Sequence, residues 1–461
     1  IKLIGFLLMK AVVFTNRGEH DKACETVKKA DGLLNSNKSK SREYFRAKAY
    51  ILEQKGDINY RTARLKESLK CHEEALEMRE IHGRDEEVAS SRGRLGVVHT
   101  ALGNDIAPSF FKKAIEINQK LNIKKMLARD MFNFGLYLRW KGQLNEAFEY
   151  CKSTSEVFKA IGDKYLLSKV YLQLGSLSLG MAELEKALDF YWKALDLDID
   201  LNNDQAIANT DMNIARVLMH KGELFLARIY HKRSLKVAKD RGEPNLQAIN
   251  LFQLSDIAIE MENISEAEKR IEELRELNEK SESKFVDLYY RLSLANLLKS
   301  DPEKMEEAID RYQAMIEEDT LHYQVTGRAM LDLGEIYLEK YLWDMKPEHL
   351  DKTVEHFEKT SKTVFEKGWA VFSLGAQLLE GKICQVKLDL ERSEDIFQKL
   401  LIKAKELDHD KIVKRCEDEL RNIENYKGID KWGDEQARLF AEKGSKEFFD
   451  YAKMVKTMVG T

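Results

Sequence analysis

Proline is nearly absent and glycine is sparse, with 4 and 24 residues in a chain of 461. A sandwich or barrel needs turn residues about every ten positions, so this little punctuation excludes a mostly-β fold and leaves long helices. Cysteine is scarce too. Cys24, Cys71, Cys151, Cys384 and Cys416 lie far apart with no Cys-x-x-Cys pair, which argues against a zinc site or a disulfide framework and points to a reducing, cytoplasmic compartment. Neither sign of charge is in excess: 75 Lys and Arg face 79 Asp and Glu, a net charge of −4. The chain therefore has no overall field with which to hold a nucleic acid.

Long apolar runs are missing. Ile1 to Phe14 is apolar but is interrupted by Lys2 and Lys10 and is too short to span a bilayer, so it reads as a helix. Chemical signatures are missing as well. There is no His-Glu-x-x-His, no Gly-x-Ser-x-Gly and no dinucleotide fingerprint. Gly375 to Lys382 imitates a phosphate loop, yet has five residues between its glycines instead of four and Ile383 in place of Ser or Thr. Neither His220 with His231 nor His349 with His356 has the one-turn spacing that sets two ligands on one helix face. No catalytic residue, cofactor or metal is expected.

What the chain has instead is charge spread along helices, 33% of all residues, and a repeat. A small residue recurs at Gly135, Gly175, Ala215, Ser255 and Ala295, each step 40 residues. Extended outward, the series reads Ala11, Ala49, Gly96, Gly334 and Gly381, with two steps of 47. The seven extra residues are expected between the two helices of a unit, around 57–63 and 341–347. Small residues at one site in the first helix (A) and two in the second (B) let antiparallel neighbours approach closely. Glycines Gly18, Gly56, Gly103, Gly142 and Gly222 are read as ending helix A. Pro108, Pro244, Pro302 and Pro347 fall in first turns or connections, where proline is tolerated. His231 takes the position of Cys151 and Tyr191 in neighbouring units, which marks it as a packing residue.

The pattern Leu-Gly (Leu174-Gly175) or Phe-Gly (Phe134-Gly135), then a small residue seven positions on (Ala182, Gly142), then Ala (Ala187, Ala147), resembles the tetratricopeptide repeat over about residues 1–405. The usual unit is about 34 residues. The longer form here is similar to the repeats of kinesin light chain and of spindle-orientation adaptors. The resemblance implies an all-α, right-handed α-solenoid of about ten repeats whose concave groove is lined by helix A. After Leu407 the register fades. Ile412 to Tyr426 and Asp434 to Met458 still read as helices, separated by Gly428 and Gly433, and residues 406–461 are expected to cap the array. Phe448, Phe449, Tyr451 and Met454 are expected to pack on the last repeat, a docking helix being the alternative.

Two residues before each small residue stands a polar ladder: Arg94, Asn133, Gln173, Asn213 and Gln253. Amides donate and accept at once, so such a ladder can hold a peptide backbone without reading its sequence. The rival reading, given equal weight, is that these amides bond adjacent helices. Further concave positions are Arg139, Trp140, Ser176, Arg216, His220, Asp256 and Glu260, basic and aromatic in the fourth to sixth repeats and acidic at the seventh. They fit a protein or peptide partner with acidic residues and a few apolar anchors. The functional expectation is a non-catalytic interaction scaffold. The alternative is the sensor arm of a larger signalling protein, which the opening Ile keeps in view, and a helical-repeat nucleic-acid binder is disfavoured by the acidic balance.

Overall fold

The computed structural model describes residues 2–36, 40–281, 283–318, 323–344, 346–366, 370–387 and 389–429. The chain forms two compact units, Ile1–Val170 and Tyr171–Thr461. Unit 1 contains α1 (Lys2–Asn16), α2 (His20–Asn35), α3 (Arg42–Arg61), α4 (Leu65–His82), α5 (Asp85–Ala101), α6 (Ala107–Lys120), α7 (Lys124–Trp140), α8 (Leu144–Ala160) and the first part of α9 (Lys164–Gly180). Unit 2 contains the rest of α9, α10 (Leu184–Asp200), α11 (Asp204–His220), α12 (Leu224–Asp240), α13 (Pro244–Glu260), α14 (Ile264–Lys280) and α15 (Lys284–Lys299). It continues with α16 (Met305–Glu317), α17 (Tyr323–Asp344), α18 (Pro347–Glu366), α19 (Ala370–Val386), α20 (Leu390–Glu406) and α21 (Asp410–Ile429). The fold is an all-α solenoid of helical hairpins: odd-numbered helices are A, even-numbered are B, and no strand occurs among the described residues. No described helix is long and apolar enough to cross a membrane. The helix read at Asp434 to Met458, with Phe448, Phe449, Tyr451 and Met454, lies outside the described residues.

Close approach of A to B explains the small residues. A Cβ on Gly175 would lie 2.6 Å from the ring of Tyr191, and one on Gly381 would lie 2.5 Å from that of Phe397. A Cβ on Gly135 would meet the Cys151 sulfur at 3.0 Å. Each of these partners is sixteen residues on, one B helix away. The A-to-B turns need a left-handed residue, which Gly18, Gly103, Gly142 and Gly222 supply at φ near 77°, 74°, 78° and 76°.

Gly56 departs from the expected role. It lies inside α3 and faces His72, sixteen residues on, where a Cβ would sit 2.6 Å from Nε2. Gly56, rather than Ala49, therefore holds the small-residue position, and the step to Gly96 returns to 40 residues. The extra residues read near 57–63 and 341–347 largely lengthen A helices: α3 has 20 residues and α17 has 22, where α7 has 17. Ala63, at φ 58°, takes the turn position that glycine holds elsewhere.

Within unit 2 the last helices reach the first. Ala182, in the turn between α9 and α10, is buried in one apolar cluster with Leu374, Phe397, Leu400, Ile412 and Cys416 of α19, α20 and α21. Helix α21 thus packs on α19 and α20 and also reaches the turn after α9.

Candidate functional site

The A helices of unit 2 carry a polar layer on the face that α21 touches. Asn296 Nδ2 donates to Asp256 Oδ1 at 2.6 Å, exactly one repeat apart in sequence terms at 40 residues. Lys299 Nζ stands 3.1 Å from Asp332 and 3.0 Å from Glu335. Arg328 pairs with Asp332 and lies 3.7 Å from Asp256. From α21, Lys411 reaches Glu260 at 2.8 Å and Arg415 reaches Glu335 at 2.7 Å, while the His409 ring meets that of His220 edge-on at 5.1 Å. Burial alone would raise the Glu335 carboxyl, but Lys299, Arg415 and Lys382 outweigh it and hold it well below its usual range. Asp256 goes the other way: burial raises it against the pull of Arg328 and Asn296.

The expected site residues divide by unit and by whether their polar atoms are used. In unit 1, Arg94 is committed to the fold. Its Nε lies 3.1 Å from Asp57 Oδ1, its Nη2 is 3.1 Å from Glu53, and it donates to Ser90 at 2.8 Å. It is a strut between α3 and α5 instead of an open rung. Asn133 is half-buried and has no side-chain hydrogen bond among the described residues. Arg139 is half-buried and in no ion pair there. Trp140 is half-exposed, with the Lys141 ammonium 4.7 Å from its ring centroid.

In unit 2, Gln173 is buried with its Nε2 unpartnered, and half-buried Gln253 makes no side-chain hydrogen bond among the described residues. Asn213 is spent locally, donating to the Asn209 carbonyl at 2.8 Å. Ser176 is also spent, donating to the Leu172 carbonyl at 3.0 Å. Arg216 has one weak contact, to Asn213 Oδ1 at 3.4 Å, and no carboxylate partner among the described residues. His220 is held well below its ordinary pKa range by burial and then by His409, Arg216, Lys411 and Arg328. Of those three cations, Arg328 and Lys411 are paired with acids and Arg216 is not.

The arrangement leaves amides and one guanidinium without partners among the described residues. Residues 206–280 match the tetratricopeptide-repeat family model. That stretch, α11 to α14, is a run of tetratricopeptide repeats. Among solved structures the chain is similar to the apo form of RapI, at 15% identity over 78% of this chain and 99% of that one, with a TM-score of 0.60. It is also similar to aspartyl phosphate phosphatase F from Bacillus subtilis, at 15% identity over 78% and 93%, with a TM-score of 0.52. These likenesses speak to the fold. No curated protein matches the chain in sequence.

Reading the repeat alone placed Asp256 and Glu260 on this face but missed Asn296, Lys299, Arg328, Asp332 and Glu335. Asn296 was within reach, since it follows Asp256 by the same 40-residue step as the amides. The ion pairs of α21 carry no periodic signal.

Proposed function

We propose that the chain is a non-catalytic interaction scaffold whose A-helix face in unit 2 holds an extended segment of a partner protein or peptide. The observation that carries this reading is Gln173: an amide buried to this degree ordinarily finds a partner inside the protein, and its Nε2 has none. Gln253 repeats the opening 80 residues on, at the same register. A peptide backbone supplies the carbonyls and amides these side chains need. Acidic side chains in the partner suit Arg216, the cation beside His220 that lacks a carboxylate.

A second reading, the sensor arm of a larger signalling protein, is favoured by one observation. Helix α21 lies on the same face through Lys411–Glu260 and Arg415–Glu335, so a ligand there competes with an element of the chain itself. The test is capture from lysate by the wild-type chain and by Gln173→Ala/Gln253→Ala in parallel, read by mass spectrometry. A protein kept by the first and lost by the second, with helical content unchanged, supports the reading; equal retention contradicts it.

A further inference from the structure

Unit 2 carries a second surface, remote in character from the polar A-helix face. Among its described residues, eight of the ten large exposed apolar side chains fall between Trp192 and Ile264. Three of them stand on α12. Phe225, Leu226 and Ile229 project from its first half at 60%, 43% and 47% exposure. The rings of Trp192 on α10 and Tyr230 on α12 meet edge-on, with centroids 5.8 Å apart. The Arg228 guanidinium lies 5.5 Å from the Phe225 ring centroid, and the same Arg228 lines a shallow depression with Leu254, Ala258, Met261, Asn263 and Glu266. Met261 and Ile264 stand exposed beside it.

A basic stripe also runs along α12. Arg228, Lys232 and Lys236 follow one another at four-residue steps, one helical turn each, and are in no ion pair among the described residues. Their neighbours on the same helix, Arg233 and Lys239, are by contrast matched by Asp211 and Glu273. A stripe of unmatched cations beside an apolar patch with aromatic and Arg anchors has the composition of an interface hot spot.

We propose that the outer face of α12 docks an acidic, amphipathic helix of a partner protein. Its carboxylates pair with Arg228, Lys232 and Lys236, and its apolar stripe covers Phe225 and Ile229. A side chain at its end enters the depression between Arg228 and Met261. Charge complementarity sets the occupant: successive turns of a helix rise about 5–6 Å, so acids at i, i+4 and i+8 meet three cations spaced the same way. The depression favours a protein over a bilayer, because a recess receives a side chain whereas a membrane is entered by projecting groups.

The experiment uses the full chain and a labelled, lactam-stapled helical peptide with glutamates at three successive i, i+4 positions and Leu and Phe on the adjoining stripe, followed by anisotropy. Saturable binding is expected. It should weaken about tenfold or more in Arg228→Glu/Lys232→Glu/Lys236→Glu and in Phe225→Ser/Ile229→Ser, and stay unchanged in Gln173→Ala/Gln253→Ala. Because four of the five substituted side chains are exposed and Arg228 is half-buried, circular dichroism should match wild type, and the charge variant keeps the test valid if the apolar one misfolds. Absence of saturable binding, or binding untouched by the charge reversal, overturns the proposal. So does a patch whose variants alter only retention by phosphatidylcholine–phosphatidylserine vesicles, or only self-association in sedimentation.

Discussion

Lys411 at the start of α21 donates to Glu260 at the end of α13 across 2.8 Å, although 151 residues separate the two in the chain. The contact sets the last helix on the A-helix face of unit 2. Both side chains are about one-third exposed, so the pair contributes little, on the order of 0–1 kcal/mol. Apolar burial of Ile412, Cys416 and Ile423 is what anchors α21.

It follows that Lys411→Ala leaves the unfolding midpoint nearly unchanged while speeding amide exchange at the start of α21. Ile423→Ala, which empties a fully buried site, is expected to cost about 2–5 kcal/mol and to release α21 altogether. Hydrogen exchange by mass spectrometry distinguishes the two.

Gly175→Ala sets a Cβ 2.6 Å from the Tyr191 ring. Tyr191 is fully buried and cannot yield, so overpacking of about 1–3 kcal/mol is expected by chemical denaturation. Gly135→Ala meets the Cys151 sulfur at 3.0 Å and the Ala147 carbonyl oxygen at an ordinary 3.4 Å, and should cost less.

The same glycines explain how much could be read from the chain beforehand. Gly135, Gly175 and Gly381 mark helix contacts that only a small residue tolerates, so the 40-residue solenoid was legible. Ala49 and Gly56 could not be told apart, because seven residues are almost two helical turns and place both on one face. The choice is made by His72, a contact that spacing alone does not reveal. In the ladder, type and register were visible but not use: Arg94 and Asn213 face acids or carbonyls nearby, whereas Asn133, Gln173 and Gln253 do not. The return of α21 depends on contacts without sequence proximity or period.

Asp130, buried in α7, accepts from Asn118 Nδ2 at 2.8 Å, and burial, against Arg129 and Asn118, pushes its carboxyl up to about 6. An acid raised on folding binds its proton more tightly in the folded state, so its protonation adds stability as pH falls from about 6 towards 3.8. Asp130→Asn mimics the protonated form and gives the unpartnered Asn118 Oδ1 a donor. It should stabilise unit 1 by about 1–3 kcal/mol at pH 8 and make no difference near pH 4, as read from denaturation midpoints at both pH values.

Histidines act in the opposite sense in unit 2. Asn250 donates to Ser234 and Leu246, which turns its Oδ1 to His231 Nδ1 at 2.9 Å and makes that nitrogen the donor. The ring is buried and neutral, and burial lowers it from 6.5 to about 4; burial likewise puts His409 at about 4. A base lowered on folding is charged first in the unfolded chain, so stability is lost as pH falls from 6.5 towards 4. A loss of about 3 kcal/mol per histidine is the scale. Exchange protection of α11–α13 should fall steeply across this window, and His231→Gln should flatten part of the slope.

The open amides of unit 2 carry the proposed function. A random-peptide display selection on the wild-type chain, followed by calorimetry of the enriched peptides against Gln173→Ala/Gln253→Ala and against Arg216→Ala, tests it most directly. The predicted result is saturable binding by extended peptides that include acidic residues, weakened about tenfold or more by each folded variant. Equal affinity for wild type and both variants would contradict the account.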